Sequence, residues 1–287
     1  MPLEAVGLLS PGAMGQVVAR VLIEHGMPVY TCLRGRSKQT KERARETGIQ
    51  DLDSYEELVA QSDLLLSILL PAEAENTAGE MAQALEQTGE SAVYVDCNAV
   101  APQTARNIEQ IITATGNCCV DAGIIGPPPT REGVTRFYAS GKDVATFAEL
   151  NKYGLDVRLV GDEVGQASGF KMCYASLTKG RYAIALEQLV AAQKMGLYDA
   201  LIAEMAMSQV PMLEDMQRML PGVPAKAGRW IGEMEEIAKT FAHLGMTPKI
   251  FEGVAEFYRF VHQASTAAPD STPDLNKLIE EIAHGTD

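Results

Sequence analysis

Residues 7–15 carry the most chemically specific spacing in this chain. Gly7-Leu8-Leu9-Ser10-Pro11-Gly12-Ala13-Met14-Gly15 follows the apolar pair Ala5-Val6 and runs straight into the helical pattern Gln16-Val17-Val18-Ala19-Arg20-Val21-Leu22. A strand, a glycine turn and a helix in that order aim a helix N-terminus, with its unpaired N–H groups and partial positive charge, at a pyrophosphate. The fingerprint G-x-G-x-x-G is met at Gly12 and Gly15, with Ser10 in place of its first glycine. Ser10, Pro11, Gly12, Ala13 and Met14 are therefore the expected phosphate-binding turn of a dinucleotide site.

The next strand-like run, Pro28-Val29-Tyr30-Thr31-Cys32-Leu33, ends where a ribose-reading side chain belongs, and the residues there are Leu33, Arg34, Gly35, Arg36 and Ser37. An Asp or Glu at the end of this strand would hold the ribose hydroxyls of NAD and repel a 2′-phosphate. Two guanidiniums and a hydroxyl suit a phosphate instead. NADP(H) is thus the expected cofactor, NAD(H) the alternative, with Leu33, Arg34, Arg36 and Ser37 as contacts. Pro71 stops the apolar run 64–70, which places Leu70 and Pro71 at the strand end where open α/β sheets bind ligands.

These residues need a scaffold, and the first 160 residues supply its pattern. Strands are expected at 4–9, 28–33, 64–70, 92–96, 118–121, 135–140 and 155–160. Helices are expected between them, at 12–25, 37–47, 54–61, 73–87, 101–115 and 143–152. Alternation of this kind predicts a doubly wound, Rossmann-type parallel sheet covered on both faces. From about residue 163 the strands stop, and helices are expected at 164–196, 198–207, 209–219, 226–245, 247–265 and 274–284, punctuated by Pro211, Pro221-Gly222, Pro248 and Thr272-Pro273. The reading is α/β, with a dinucleotide-binding domain over 1–162 and an all-α substrate and dimerisation domain over 163–287.

Composition narrows the function classes. With 38 acidic against 24 basic residues the net charge is −14, which argues against nucleic acid or an anionic membrane as partner. The five cysteines, at 32, 97, 118, 119 and 173, are odd in number and lack metal-type spacing, and His25, His243, His262 and His284 are scattered. No metal is expected, and reduced core cysteines fit a cytoplasmic protein. The longest apolar runs, such as 64–70, are strand-length, so neither a signal peptide nor a membrane span is expected.

Further motifs carry a resemblance. Val164-Gly165-Gln166-Ala167-Ser168-Gly169-Phe170-Lys171 opens the long helix, and Asp121-Ala122-Gly123-Ile124-Ile125-Gly126 follows a strand. Together with the glycine turn and the helical second half, they resemble the β-hydroxyacid dehydrogenases and the related 6-phosphogluconate dehydrogenases over nearly the whole chain. The resemblance implies that Lys171 is the catalytic acid/base and that Gly123, Ile125, Asn98, Tyr174, Trp230 and Glu233 lie toward substrate, with Asn98 also beside the cofactor. It also implies a homodimer through the C-terminal helices. The long helix agrees, since it is apolar over most of its circumference.

The chain departs from that family at several positions. The substrate-binding asparagine four residues after the lysine is Ala175, the substrate-loop serine is Ile125, a Ser-Thr pair is Asn98-Ala99, and a Lys-Asp pair is Gly232-Glu233. Arg229-Trp230-Ile231-Gly232-Glu233-Met234-Glu235-Glu236 is similar to a little-characterised branch. The expected activity is hydride transfer between NADP(H) and a small or medium polar hydroxy acid, alcohol or ketone. The alternatives are imine reduction on the same scaffold and a non-catalytic NADP-binding sensor.

Overall fold

The computed structural model describes residues 3–264 and 274–284. Eight strands, β1 (Val6–Leu8), β2 (Val29–Thr31), β3 (Gln50–Asp51), β4 (Leu64–Ser67), β5 (Val93–Asp96), β6 (Cys118–Ile125), β7 (Arg136–Ser140) and β8 (Val157–Gly161), form one sheet in the order β3-β2-β1-β4-β5-β6-β7-β8. Between them lie helices α1 (Gly15–Glu24), α2 (Lys38–Thr47), α3 (Tyr55–Ala60), α4 (Ala74–Thr88), α5 (Pro102–Thr113) and α6 (Val144–Ala148). The chain leaves β1 toward β2 and β3, then returns to place β4 on the other side of β1, which makes the β1/β4 boundary a topological switch point.

Side-chain alternation builds the two faces. Leu64 and Leu66 of β4 pack with Leu8, Val18 and Leu22 on one side, while Leu65 packs with Tyr94, Ala78, Met81 and Ile108 on the other. All of β4 is buried, as a central strand covered on both faces must be. Local signals end the helices: the Ser37 hydroxyl accepts the Thr40 N–H at 3.2 Å at the start of α2, and Gly48 closes α2 at φ +84°.

Three strand expectations are corrected. The sheet is mixed, because β7 runs antiparallel to β6, pairing Gly123 with Tyr138 and Ile125 with Arg136. That ladder extends β6 to Ile125, so Gly123 and Ile125 belong to a strand rather than to a loop after one. The strand expected over 64–70 ends at Ser67, because the Leu69 N–H turns to the Asn98 side chain at 2.5 Å. The two-residue β3 was not expected at all, and the helix expected over 143–152 is α6 followed by a 3-10 turn over Glu149–Tyr153.

No strand follows Gly161 among the described residues. Helices α7 (Gln166–Lys194), α8 (Tyr198–Ser208), α9 (Val210–Met219), α10 (Pro224–His243), α11 (Lys249–Ala264) and α12 (Leu275–His284) make up the rest. The expected punctuation at Thr272-Pro273, and residue 265 of the expected helix 247–265, lie outside the described residues. The chain divides into two compact units, Met1–Met172 and Cys173–Asp287, with the division inside α7. In the helical unit Trp230 of α10 meets Tyr258 of α11 edge to face at 5.4 Å, among the buried Met234, Ile237 and Val261. No described helix is long and apolar enough to cross a membrane.

Candidate functional site

Strand register gathers the candidate residues of the first unit on one edge of the sheet. Leu8 pairs with Leu66, Ser67 with Asp96, and Asp96 with Asp121, so the residues just beyond them share the C-terminal edge. These are the Ser10 turn, Leu70-Pro71, Asn98 and Gly123–Ile125.

The glycine turn is built to admit a phosphate. A Cβ on Gly15 would lie 2.4 Å from the Ser10 carbonyl oxygen, so glycine is required where α1 begins. A Cβ on Gly12 would meet nothing within 4 Å; the space beside the turn is open. Met14, the N-cap, makes no side-chain cap; the Gln16 and Val17 N–H groups go to the Gly12 and Met14 carbonyls at 3.0 and 3.1 Å, so it is the turn preceding them, at the positive end of α1, that faces an external acceptor. Open space, a tight backbone and an uncapped helix start fit a dinucleotide pyrophosphate. Pro11 is buried and Ala13 exposed beside this turn.

Beyond β2 the expected contacts part ways. Leu33 is buried in the core, and its N–H donates to Asp51 Oδ1 of β3 at 2.8 Å. Arg36 Nη2 donates to the Leu9 carbonyl at 3.3 Å, which folds this guanidinium toward the glycine turn, where it also meets the Tyr55 hydroxyl. Burial raises the Tyr55 phenol and Arg36 opposes the rise. Arg34 is exposed, and the Ser37 hydroxyl contacts both the Thr40 N–H and, at 2.9 Å, the Thr40 hydroxyl. Leu70 is exposed and Pro71 opens the turn before α4.

Asn98 is 2% exposed and its amide holds the sheet edge together. Oδ1 accepts the Leu69 N–H, while Nδ2 donates to Ser67 Oγ at 2.9 Å and to Asp96 Oδ1. Burial, and then the neighbouring charge of Asp121, raise the Asp96 carboxyl to about 8. At neutral pH Asp96 therefore keeps its proton.

Lys171 lies in the second turn of α7, and its ammonium donates to the Ile124 carbonyl of β6. Gly123 makes that approach feasible: a Cβ there would lie 2.9 Å from Lys171 Cβ and 3.0 Å from the Ala167 carbonyl. Gly165 precedes the helix at φ +99°, a conformation that favours glycine. Ile125 is buried at 3% exposure, an apolar residue where the resembling enzymes carry a serine.

Sequence reasoning missed Asp121. Its Oδ2 accepts the Gly165 and Ser168 N–H groups at 2.8 and 2.9 Å and the Ser140 hydroxyl at 3.3 Å, and Oδ1 accepts the Ser168 hydroxyl at 2.6 Å. Burial raises this carboxyl, and its donors pull the other way. No local spacing announces the cluster, since Asp121 and Ser168 are far apart in the chain.

The remaining candidates lie in the helical unit. Tyr174 is exposed, Trp230 is buried, and Glu233 forms an ion pair with Lys179 of α7, a partner the sequence did not suggest. The Lys179 ammonium also sits 5.4 Å from the centre of the Trp230 ring, and the Tyr258 hydroxyl donates to the Lys179 carbonyl at 2.6 Å. Among the described residues no group of three His, Cys, Asp or Glu is arranged to hold a metal.

Comparison with known proteins bears on the family and the fold. Residues 5–152 match the NAD binding domain of 6-phosphogluconate dehydrogenase, and residues 192–261 match a domain of unknown function, DUF1932. The chain is 30% identical over 197 residues to an uncharacterized 28.5 kDa protein in the 7S RNA 5′ region of Methanothermus fervidus, covering 69% of this chain and 74% of that one. A solved conserved protein of unknown function, described as structurally similar to 3-hydroxyacid dehydrogenases, is 29% identical with a TM-score of 0.69, covering 90% of this chain and 96% of that one. Mycobacterium tuberculosis 3-hydroxyisobutyrate dehydrogenase shares the fold at 16% identity, with a TM-score of 0.67 over 98% and 99% of the two chains. With more than half its length matched, the chain belongs to the family of the 6-phosphogluconate dehydrogenase NAD-binding domain.

Proposed function

We propose that the protein is an NADP(H)-dependent oxidoreductase acting on a small or medium polar hydroxy acid, alcohol or ketone, with Lys171 as its acid/base. The observation that carries this reading is the Lys171 ammonium on the Ile124 carbonyl, at the same sheet edge as the glycine turn. When bound, the nicotinamide supplies or accepts the hydride. The chain's own part is to hold and move one proton. Lys171 Nζ gives it to the substrate oxygen on reduction and takes it back on oxidation, with the Ile124 carbonyl orienting the amine. The uncapped start of α1 and the open side of Gly12 hold the pyrophosphate. Arg34 and Arg36 supply the charge for a 2′-phosphate. The 3-hydroxyacid and 3-hydroxyisobutyrate dehydrogenase likenesses support the hydroxy-acid class. Ile125 and Ala175 stand where those enzymes' substrate groups are expected, so this chain reads a different substrate from theirs.

The test combines binding and single-turnover measurements over a panel of hydroxy acids and ketones. Lys171→Met keeps the apolar stem and removes the ammonium, so NADP(H) affinity stays within a few-fold while hydride transfer falls about 100-fold or more. Transfer at the unmodified rate removes Lys171 from the mechanism. NADP(H) binding with no turnover on any panel member would favour a non-catalytic sensor.

A further inference from the structure

Asp121 is a fully buried carboxyl, and it is the most heavily hydrogen-bonded side chain of the β6–α7 junction. We propose that Asp121 is the positioning residue of Lys171: by anchoring the first turn of α7 to β6, it sets where the Lys171 ammonium stands. Only the role given to Lys171 rests on the proposed function; the anchoring does not.

The geometry of β6 carries the argument. Asp121 and Gly123 are two residues apart on one strand and so face the same way, toward the start of α7. Asp121 grips that start through the Gly165 and Ser168 N–H groups and the Ser168 hydroxyl. Ser140 of β7 adds a brace, accepting the Ala167 N–H at 3.0 Å while donating to Asp121. All of these bonds but that of the Ala167 N–H are donated to a carboxyl oxygen of Asp121, which thereby takes up N–H groups at the positive start of the helix.

Two residues along the strand, Gly123 lets the helix backbone close in, and the next residue, Ile124, offers its carbonyl to Lys171. Ser168 and Lys171 are three apart on α7, hence neighbours on its surface. The anchor and the lysine therefore share one helix face and one stretch of strand. A shift of the first turn of α7 moves Nζ off the Ile124 carbonyl, and misplacement of a catalytic group by about 1 Å costs on the order of 100-fold in rate.

A cap that serves stability alone would lower the melting temperature and leave the lysine's chemistry in the folded protein unchanged. The test reads that chemistry directly. Asp121→Asn and Ser168→Ala are labelled with limiting acetic anhydride across a pH series, and each lysine is followed by peptide mass spectrometry, with Lys142 and Lys152 as internal references. Loss of the anchor frees Nζ from its acceptor, so Lys171 labels about tenfold faster in Asp121→Asn, the size of one charge-assisted hydrogen bond. Ser168→Ala, which loses only the Oδ1 bond, gives a smaller rise in the same direction, and the reference lysines do not change. Lys171 labelling at the unmodified rate in folded Asp121→Asn overturns the proposal. If Asp121→Asn does not fold, an unmodified rate in Ser168→Ala does the same. Neither result depends on turnover, so a Lys171→Met protein that kept full activity would remove the acid/base reading and leave the anchoring intact.

Discussion

Asp96 and Asp121 are register partners on β5 and β6, two carboxyls buried side by side at the cofactor edge of the sheet. They cannot both ionise cheaply, because burial and mutual repulsion act in the same direction. Burial raises both, and the four hydrogen bonds donated to Asp121 oppose its rise. Asp96, with Asn98 donating to it and Oδ2 buried without a partner, is left with the proton.

The first prediction is a stability slope with pH. The folded chain holds a proton on Asp96 up to about pH 8. The unfolded chain releases it near pH 3.9. Between those values the unfolded state binds fewer protons, so stability is fully present at the acid end and declines as pH rises through the window. Thermal melts from pH 5 to 8 should show a falling midpoint that flattens in Asp96→Asn, whose neutral amide copies the protonated acid. Equal slopes in the two proteins would exclude the assignment.

The glycine turn gives a matched pair of substitutions. Gly15→Ala drives a Cβ to 2.4 Å from the Ser10 carbonyl, a backbone atom that cannot swing aside. Overpacking of this kind costs about 1–3 kcal/mol, so the melting midpoint should drop. Gly12→Ala meets nothing within 4 Å, so its midpoint should match the unmodified protein. NADP(H) affinity should nevertheless fall in Gly12→Ala, because its methyl enters the space assigned to the pyrophosphate. A Gly12→Ala protein that binds NADP(H) as tightly as the unmodified one would displace the cofactor from this turn.

Much of this was legible in the sequence because its signals are local. The run of leucines over β4, the glycine turn before α1 and the proline-punctuated helices each announce themselves within a dozen residues. What escaped is non-local. Asp121 and Ser168 lie 47 positions apart, and Lys179 and Glu233 lie 54 apart, so no spacing rule connects them. The antiparallel β7 was hidden for the same reason: alternation marks a strand but not its direction, which the β6 ladder fixes. β3, with only Gln50 and Asp51, is too short to show a period. The family resemblance sets Asn98 toward substrate and cofactor, and no local signal announces the sheet-edge bonds that its amide makes.

A homodimer is the proposed assembly. Of the apolar residues of α7, Ala175, Ala183, Leu186, Leu189 and Ala192 are buried within a single chain, but Leu177 and Ile184, one heptad apart, remain 72% and 57% exposed. A second copy of the chain is the proposed cover for that stripe, in line with the family resemblance. Light scattering at micromolar concentration should give twice the 30.9 kDa chain mass, and Leu177→Asp should lower it toward the single-chain value. A single-chain mass for the unmodified protein would rule the assembly out.

Cofactor choice gives the last test, and the structure identifies the better of the two arginines for it. Arg36 already donates to the Leu9 carbonyl and meets Tyr55, so replacing it would disturb the turn itself. Arg34 is exposed beyond β2, and its removal alters charge with little change in packing. If a 2′-phosphate is read here, NADP(H) should bind more tightly than NAD(H), with a preference that weakens as salt is raised. Arg34→Glu removes one charge-assisted pair and adds repulsion, a loss of roughly 1.5–3 kcal/mol or about tenfold or more in NADP(H) affinity. NAD(H), which has no phosphate at that position, should be nearly unaffected, so the ratio of the two dissociation constants is the quantity to measure by titration calorimetry. Equal affinities in the unmodified protein would end the preference for NADP(H) and assign Arg34 to the solvated surface.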